Sequence, residues 1–230
     1  MMLIVRLFPK MDLNKVWDYV ESDLIRKAES DGVTPLYASQ TEGMMSVGVI
    51  FDVKDPDKIA EFLTENLAHY DEIHHSKTIS FMKTIFFPIP KEKPSQPKRY
   101  IIRIYTHSKY YKSIYQYLKE YKYQYDKLFP IYLTYSLGEE DLILNIGADS
   151  FETVNNFVKN KIRNLDGALS VMFYPVVKAK RFASLEKLIE YQNKLITDTA
   201  LTPEQSDTKF DYVEDFEYQC LISGAFRRDL

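Results

Sequence analysis

The feature that most constrains the fold of this chain is an approximate internal repeat. Strand-like sequence around Arg6, Leu-Ile-Val-Arg-Leu, returns around Arg103 as Tyr-Ile-Ile-Arg-Ile. Three landmarks recur at separations of 97, 95 and 94 residues: Arg6 with Arg103, Gly43 with Gly138, and Asp55 with Asp149. Because the spacing drifts so little along 230 residues, the sequence predicts two copies of one supersecondary unit.

The first half alternates strand-like and helix-like patterns. Residues 3–8 form an apolar strand that ends at a proline, and Asp12 precedes an apolar stripe with helical spacing. A turn at Gly43 separates two further strands, and Asp55 caps a second helix. Residues 78–87 are a last strand, so the predicted order is the ferredoxin-like β-α-β-β-α-β.

The second half repeats this order around one motif. A polar turn at 138–141 precedes an apolar strand, Asp149 or Ser150 caps a helix, and residues 168–174 form a strand. A tyrosine-rich helix is expected at 108–128.

The run Gly-Glu-Glu-Asp-Leu-Ile-Leu, the helix ending Lys-Ile-Arg-Asn-Leu-Asp-Gly and the strand after it resemble the effector-binding (RAM) domain of Lrp/AsnC-type regulators. The resemblance covers residues 100–178, and the repeat extends it to 2–87. It implies a dimeric α+β barrel in which two sheets pack face to face. No helix-turn-helix pattern precedes either half in this sequence, so we expect a protein without the usual DNA reader of that family.

Four prolines in residues 88–98 predict an extended linker between the halves. The expected division is a ferredoxin-like unit 1 at 1–88, a linker at 89–98, a RAM-like unit 2 at 99–180, and a C-terminal helix and tail at 181–230. The strands are apolar on both sides, so the predicted fold class is α+β, with the two sheets packed as an intrachain pseudo-dimer. The alternative is two domains side by side.

Composition limits the function classes. With 45% hydrophobic residues and a net charge of −3, the chain can bury a core and has no global attraction to nucleic acid. No segment approaches the length of a membrane span, and the single cysteine, Cys220, excludes an intrachain disulfide. We expect a cytoplasmic protein without a cofactor or a metal.

Two groups of side chains are candidates for chemistry. The acidic run Glu139, Glu140 and Asp141 is a candidate for binding a cation or an amino group, although such a run more commonly solvates a hairpin turn. The histidines His74 and His75 are adjacent, and on a strand they are expected to point to opposite faces. The sequence therefore predicts no metal site and no catalytic residue.

Residues 91–127 contain ten lysines and arginines and three acids, a local charge of +7. Lysines and rings on one surface bind nucleic acids, but a solvated helix or a partner contact explains them too. The candidate surface is Lys109, Lys112, Tyr115, Lys119, Lys122 and Tyr123. Tyr115 or Tyr123 is expected to lie outside the core.

Residues 197–230 carry eight acids against three bases, and they keep several aromatic side chains. We expect this tail to dock on its own chain or on a neighbour through Phe210, Tyr212, Phe216 and Tyr218.

These patterns favour a non-enzymatic, ligand-sensing or regulatory protein that forms homo-oligomers and binds a small-molecule effector. One alternative is a dimeric α+β barrel enzyme, oxygenase- or isomerase-like, that uses the cavity between the sheets. The other is a nucleic-acid-binding protein that uses the tyrosine- and lysine-rich helix.

Overall fold

Each half of the chain contributes four strands with helices between them. The computed structural model describes residues 1–31, 33–67, 69–87 and 90–182. The strands are β1 (Met2–Pro9), β2 (Thr34–Thr41), β3 (Ser46–Asp52), β4 (Ile73–Phe86), β5 (Lys98–Thr106), β6 (Leu128–Leu137), β7 (Leu142–Ala148) and β8 (Ala168–Arg181). The helices are α1 (Leu13–Tyr19), α2 (Ile25–Ser30), α3 (Pro56–Leu67), α4 (Tyr111–Glu120) and α5 (Phe151–Phe157). π-Helical turns follow α1 at Val20–Leu24 and α5 at Val158–Ile162.

The helix starts agree with the capping residues of the sequence. Asp12 accepts a hydrogen bond from the Asn14 amide at 2.9 Å, and Ser150, rather than Asp149, accepts one from the Thr153 amide at 3.2 Å. Both caps satisfy an amide that has no partner inside the helix.

The tyrosine-rich helix is shorter than the sequence predicts. α4 ends at Glu120, and Tyr121 is extended. Beyond it, Tyr123 turns back into the core and donates a hydrogen bond to the Leu118 carbonyl at 2.9 Å. This bond satisfies a carbonyl in the last turn of the helix, so burial of the Tyr123 ring and the end of the helix are coupled.

The eight strands form one closed antiparallel barrel, in the order β1-β3-β2-β8-β5-β7-β6-β4. The two halves meet at two seams, where β2 pairs with β8 and β4 pairs with β6. The predicted α+β class is confirmed. The two halves pack within one chain as a closed barrel, because β8 extends beyond its predicted end to pair with β2, and β4 pairs with β6 across the second seam. No sheet edge is left unpaired among the described residues.

The barrel explains why its strands are apolar on both sides. Along β1, Leu3, Val5 and Leu7 face outward and pack beneath the helices, whereas Met2 and Ile4 face the barrel interior. β5 and β7 alternate in the same way. Each strand therefore buries two faces, and a buried aliphatic side chain contributes about 1.5–3 kcal/mol.

No helix among the described residues is long and apolar enough to cross a membrane. The predicted helix after Arg181 and the tail residues Phe210, Tyr212, Phe216 and Tyr218 lie outside the described residues.

Candidate functional site

Two arginines occupy matching interior positions of the two halves. Arg6 on β1 and Arg103 on β5 lie on the inward-facing side of their strands, two positions beyond Ile4 and Ile101. Their side chains are only 3% and 4% exposed. A guanidinium that is buried this deeply needs hydrogen-bonding and charged partners.

The partners come from the turn between β6 and β7. Gly138 has a φ of +139°, and a Cβ there would lie 3.0 Å from the Thr78 carbonyl oxygen of β4. Only glycine lets the turn approach β4 so closely. The turn places Glu139 and Glu140 at the end of the barrel, and Ser136 donates a hydrogen bond to the Glu140 carbonyl.

Glu140 bridges the two arginines. Its Oε2 accepts from Arg6 Nη1 at 2.9 Å and from Arg103 Nη2 at 2.8 Å, and its Oε1 accepts from Arg6 Nη2. The Glu140 side chain is fully buried. The Arg6 contact is therefore a bidentate pair, the strongest geometry that arginine offers to a carboxylate.

Glu139 lies closer to solvent. Its Oε1 is 2.8 Å from Arg103 Nη2 and 3.2 Å from Lys77 Nζ, and its Oε2 is 3.3 Å from Arg6 Nη1. The Glu139 side chain is 22% exposed and that of Lys77 is 44% exposed. The cluster of Arg6, Lys77, Arg103, Glu139 and Glu140, here called the mouth cluster, thus pairs three cations with two carboxylates. One positive charge is in surplus.

The same contacts shift the acid–base equilibria. Burial alone would raise the pKa of the Glu140 carboxyl, but the hydrogen bonds and charges of Arg6 and Arg103 outweigh it, so this pKa is lowered. Burial is likewise outweighed at Glu139, mainly by Arg103, and its pKa is also lowered. Burial alone would lower the pKa of Arg103, but the charges and hydrogen bonds of Glu140 and Glu139 outweigh it and raise this pKa. Every member of the mouth cluster whose pKa is shifted is therefore held in its charged form.

Sulfur and tyrosine side chains surround Arg103. Its Nη1 donates to Met44 Sδ at 3.1 Å, and its Nη2 lies 3.1 Å from the Tyr105 hydroxyl oxygen. Its Nε is buried without a hydrogen-bond partner among the described residues. Met172, paired with Arg103 across β5 and β8, accepts a hydrogen bond from the Tyr174 hydroxyl at 3.3 Å. The mouth cluster thus offers donors to an anion within a largely apolar and aromatic wall.

Only two of the three acidic residues predicted as candidates, Glu139 and Glu140, lie together in the structure. Asp141 points away from the mouth cluster: its Oδ2 accepts from the Thr106 amide at 2.6 Å, and its carbonyl accepts from the Tyr111 hydroxyl at 3.0 Å. It anchors the turn to β5 and α4. Sequence reasoning missed Arg6, Lys77 and Arg103 as site residues. The signal was present for the arginines, because each is a lone charge in an apolar strand at a repeated position.

The candidate nucleic-acid or partner surface is incomplete. Its lysines are exposed (Lys109, Lys112 and Lys122) or half-buried (Lys119). Tyr115 and Tyr123 are both buried, and Tyr115 donates to the Lys83 carbonyl at 2.5 Å. The expectation that one of these rings would lie outside the core is wrong, since Tyr115 packs on Tyr135 of β6 and Tyr123 packs on Phe157 of α5. Neither ring is available to stack on a base.

The histidines also differ from the expectation of opposite faces. The Nδ1 atoms of His74 and His75 lie 2.7 Å apart on the exposed start of β4, and the His75 ring stacks on Phe8. A register shift in the pairing with β1 accompanies this arrangement. No three His, Cys, Asp or Glu side chains in the described ranges are grouped so that they could hold a metal ion.

No protein-family model matches the chain, and no curated protein matches it. Solved structures with a similar fold include an anthrone oxidase-like protein, with 8% identity over 80% of this chain and 94% of that one, and a TM-score of 0.48. A candidate monooxygenase from Fusobacterium nucleatum has 13% identity, the same coverages and a TM-score of 0.47. AsnC from E. coli has 13% identity over 75% of this chain and 91% of that one, with a TM-score of 0.33.

The expectation of a non-enzymatic sensing or regulatory protein is wrong on this comparison. Besides AsnC and a regulator of staphylococcal pathogenesis, the similar structures are mostly described as monooxygenase-like or as chlorite dismutases. The likeness to Lrp/AsnC proteins is shared with these proteins and belongs to the fold. The chemistry of this chain has to be argued from its own side chains.

Proposed function

We propose that this chain is an enzyme whose active site is the mouth cluster, and that its substrate is a small organic anion with an acidic C–H bond beside a carbonyl group. One observation carries the proposal: three cations meet two carboxylates at a partly solvent-accessible end of the barrel. A surplus positive charge in a largely buried place favours an anion over any neutral ligand.

The substrate anion is bound through Arg103 and Lys77. Arg103 already has an Nε without a partner, and Lys77 is partly exposed, so both groups have donors to offer. Glu140 stays between the arginines and fixes their orientation, because it is fully buried and held by both. The substrate carbonyl oxygen then lies against guanidinium N–H groups that are positioned before the reaction begins.

Glu139 is the base. In the free protein its lowered pKa makes it a weak one. When the substrate anion takes Arg103 donors and adds its own negative charge, both effects raise the pKa of Glu139 toward the range of a useful base. The C–H proton moves to a Glu139 oxygen, and the electron pair of that bond moves onto the carbonyl oxygen as an enolate beside Arg103.

The enolate has two outcomes. Return of the proton from Glu139 to a different carbon or to the other face is an isomerase-like reaction, and it needs no further reagent. An oxygenase-like reaction starts from the same enolate and requires dioxygen as the oxidant. The first step is common to both, so it is the step to test.

The architecture fits a tandem repeat of two ferredoxin-like units. The strand order is β4-β1-β3-β2 in the first half and β8-β5-β7-β6 in the second. In a dimeric barrel of this type two chains supply the halves, whereas here one chain supplies both. The acidic pair occurs in only one turn, because Met44 and Met45 follow Gly43 where Glu139 and Glu140 follow Gly138. The repeat thus yields one mouth cluster. We propose that any homo-oligomer forms through the outer surface of the barrel.

The test is solvent deuterium incorporation, which detects proton abstraction without knowledge of the product. The protein is incubated in D₂O with 2-oxo and 3-oxo carboxylates such as pyruvate and acetoacetate, and exchange at carbon is followed by NMR. We expect exchange above the buffer rate that is lost in Arg103→Gln and in Glu139→Gln. Arg26→Gln, which changes an exposed arginine on α2, is the matched control and should keep it. Equal rates in wild type and Arg103→Gln for every compound would refute the proposal.

A further inference from the structure

A second polar cluster lies inside the barrel, away from the mouth cluster. Its centre is Arg99, which precedes Arg103 by four residues on β5 and shares its inward-facing side. Four residues of a strand span roughly 13 Å. Between the two arginines, Ile101 packs with Ile4 and Phe129 in the apolar interior. The two arginines therefore serve different ends of the barrel.

The hydrogen bonds of Arg99 leave one edge of its guanidinium only weakly paired. Nη1 donates to the Tyr37 hydroxyl at 2.5 Å, and the guanidinium lies 5.0 Å from the Tyr37 ring centre. Nη2 reaches Asn145 Oδ1 only at 3.4 Å, a long contact that uses one of its two hydrogens. Nε is buried and has no hydrogen-bond partner in the part of the chain that the structure describes. Parallel N–H donors along such an edge match the two oxygens of a carboxylate.

The charge of Arg99 is also uncompensated. None of the ion pairs within the described ranges includes Arg99, in contrast to Arg6 and Arg103. Its polar neighbours are neutral: Asn145 carries no charge, and burial raises the pKa of Tyr132, which keeps that phenol protonated. A half-buried guanidinium without a counter-charge is costly, and a bound anion removes that cost.

We propose that the weakly paired edge of Arg99 binds the carboxylate of a small ligand, at a second site distinct from the mouth cluster. Nε and Nη2 contact the two carboxylate oxygens, Asn145 lies beside the same edge, and the Tyr37 ring covers one face of the guanidinium. This site requires no proton transfer, so it stands independently of the reaction at the mouth cluster.

The test follows the Nε–H resonance of Arg99 by NMR in the full-length protein, with acetate as the probe at constant ionic strength. The resonance is assigned from its disappearance in Arg99→Gln. Arg26, exposed on α2, provides the reference resonance in the same spectra. We expect a saturable shift of the Arg99 signal with acetate that persists in Arg103→Gln.

Two results would overturn the proposal. One is an Arg99 signal that moves no more than the Arg26 signal in wild-type protein, a comparison that does not depend on any variant folding. The other is a response to inorganic phosphate with none to acetate, which excludes the carboxylate. Deuterium exchange in Arg99→Gln separates the two sites: it should continue, since Arg99 has no part in the mouth cluster.

Discussion

Glu140→Gln tests the mouth cluster as a structural unit. The carboxylate accepts three hydrogen bonds from two arginines that are at least 96% buried, and its own side chain is fully buried. Glutamine keeps the shape, but it removes the charge and turns an amide N–H toward a guanidinium. Leaving buried charges without their partner costs about 3–5 kcal/mol, so we expect a loss of that size in the free energy of unfolding at pH 7.

Urea unfolding measures this loss, and Glu139→Gln is the matched control. Glu139 sits one residue away and is partly exposed, so its loss should be about 1 kcal/mol or less. The pH dependence gives a second check. Because the folded-state pKa of Glu140 is lowered, its contribution is present above the unfolded value of about 4.3 and is lost as pH falls through the folded value. A Glu140→Gln protein within about 1 kcal/mol of wild type, or a difference that stays constant on acidification, would refute the reasoning.

Further predictions concern the barrel interior and the turn. In Gly147→Ala the new methyl group overlaps the fully buried Phe129 ring, and we expect urea unfolding to show a loss of about 1–3 kcal/mol. Gly48→Ala is its control, because the atom nearest to the new methyl group is the terminal Ile4 Cδ1 at 2.9 Å, which can move. A loss of stability in Gly48→Ala as large as that in Gly147→Ala would contradict this prediction. Burial, assisted by Asp141, raises the pKa of Tyr111 to about 12. The stability that this shift provides is complete below the unfolded pKa of about 10 and is lost as pH rises toward 12. Tyr111→Phe should therefore lose less stability than wild type between these pH values. If the free energy of unfolding of the variant falls as steeply with pH as that of wild type, the prediction is wrong.

The repeat in the sequence predicted most of the secondary structure because strand and helix periodicities are local. As the repeat predicts, Arg6 and Arg103 lie at matching strand positions, and Gly43 and Gly138 lie in matching turns. The closure of the barrel was not predictable in the same way. Pairing of β2 with β8 and of β4 with β6 joins segments far apart in the chain, and no local pattern marks a seam. The two-sided apolar strands predicted that the two sheets cover each other, but they did not show that the strands also pair across the seams.

The candidate site was half predicted for a similar reason. Glu139 and Glu140 stood out because an acidic run precedes an apolar strand. Their arginine partners are separated from Glu140 by 134 and 37 residues, and only the folded barrel brings the three side chains together. The burial of Tyr115 and Tyr123 shows the opposite case: composition suggested an exposed aromatic surface, whereas tertiary packing uses both rings as core.

An anion bound at Arg103 is expected to convert Glu139 from a weak base into an effective one. Carboxyl ¹³C NMR of Glu139, titrated with and without saturating pyruvate, measures it directly, and Glu139→Gln assigns the signal. We predict a pKa below the ordinary glutamate value in the free protein and a clear rise when pyruvate is bound. A Glu139 pKa that is the same in both titrations, with pyruvate shown to be bound, would contradict this expectation.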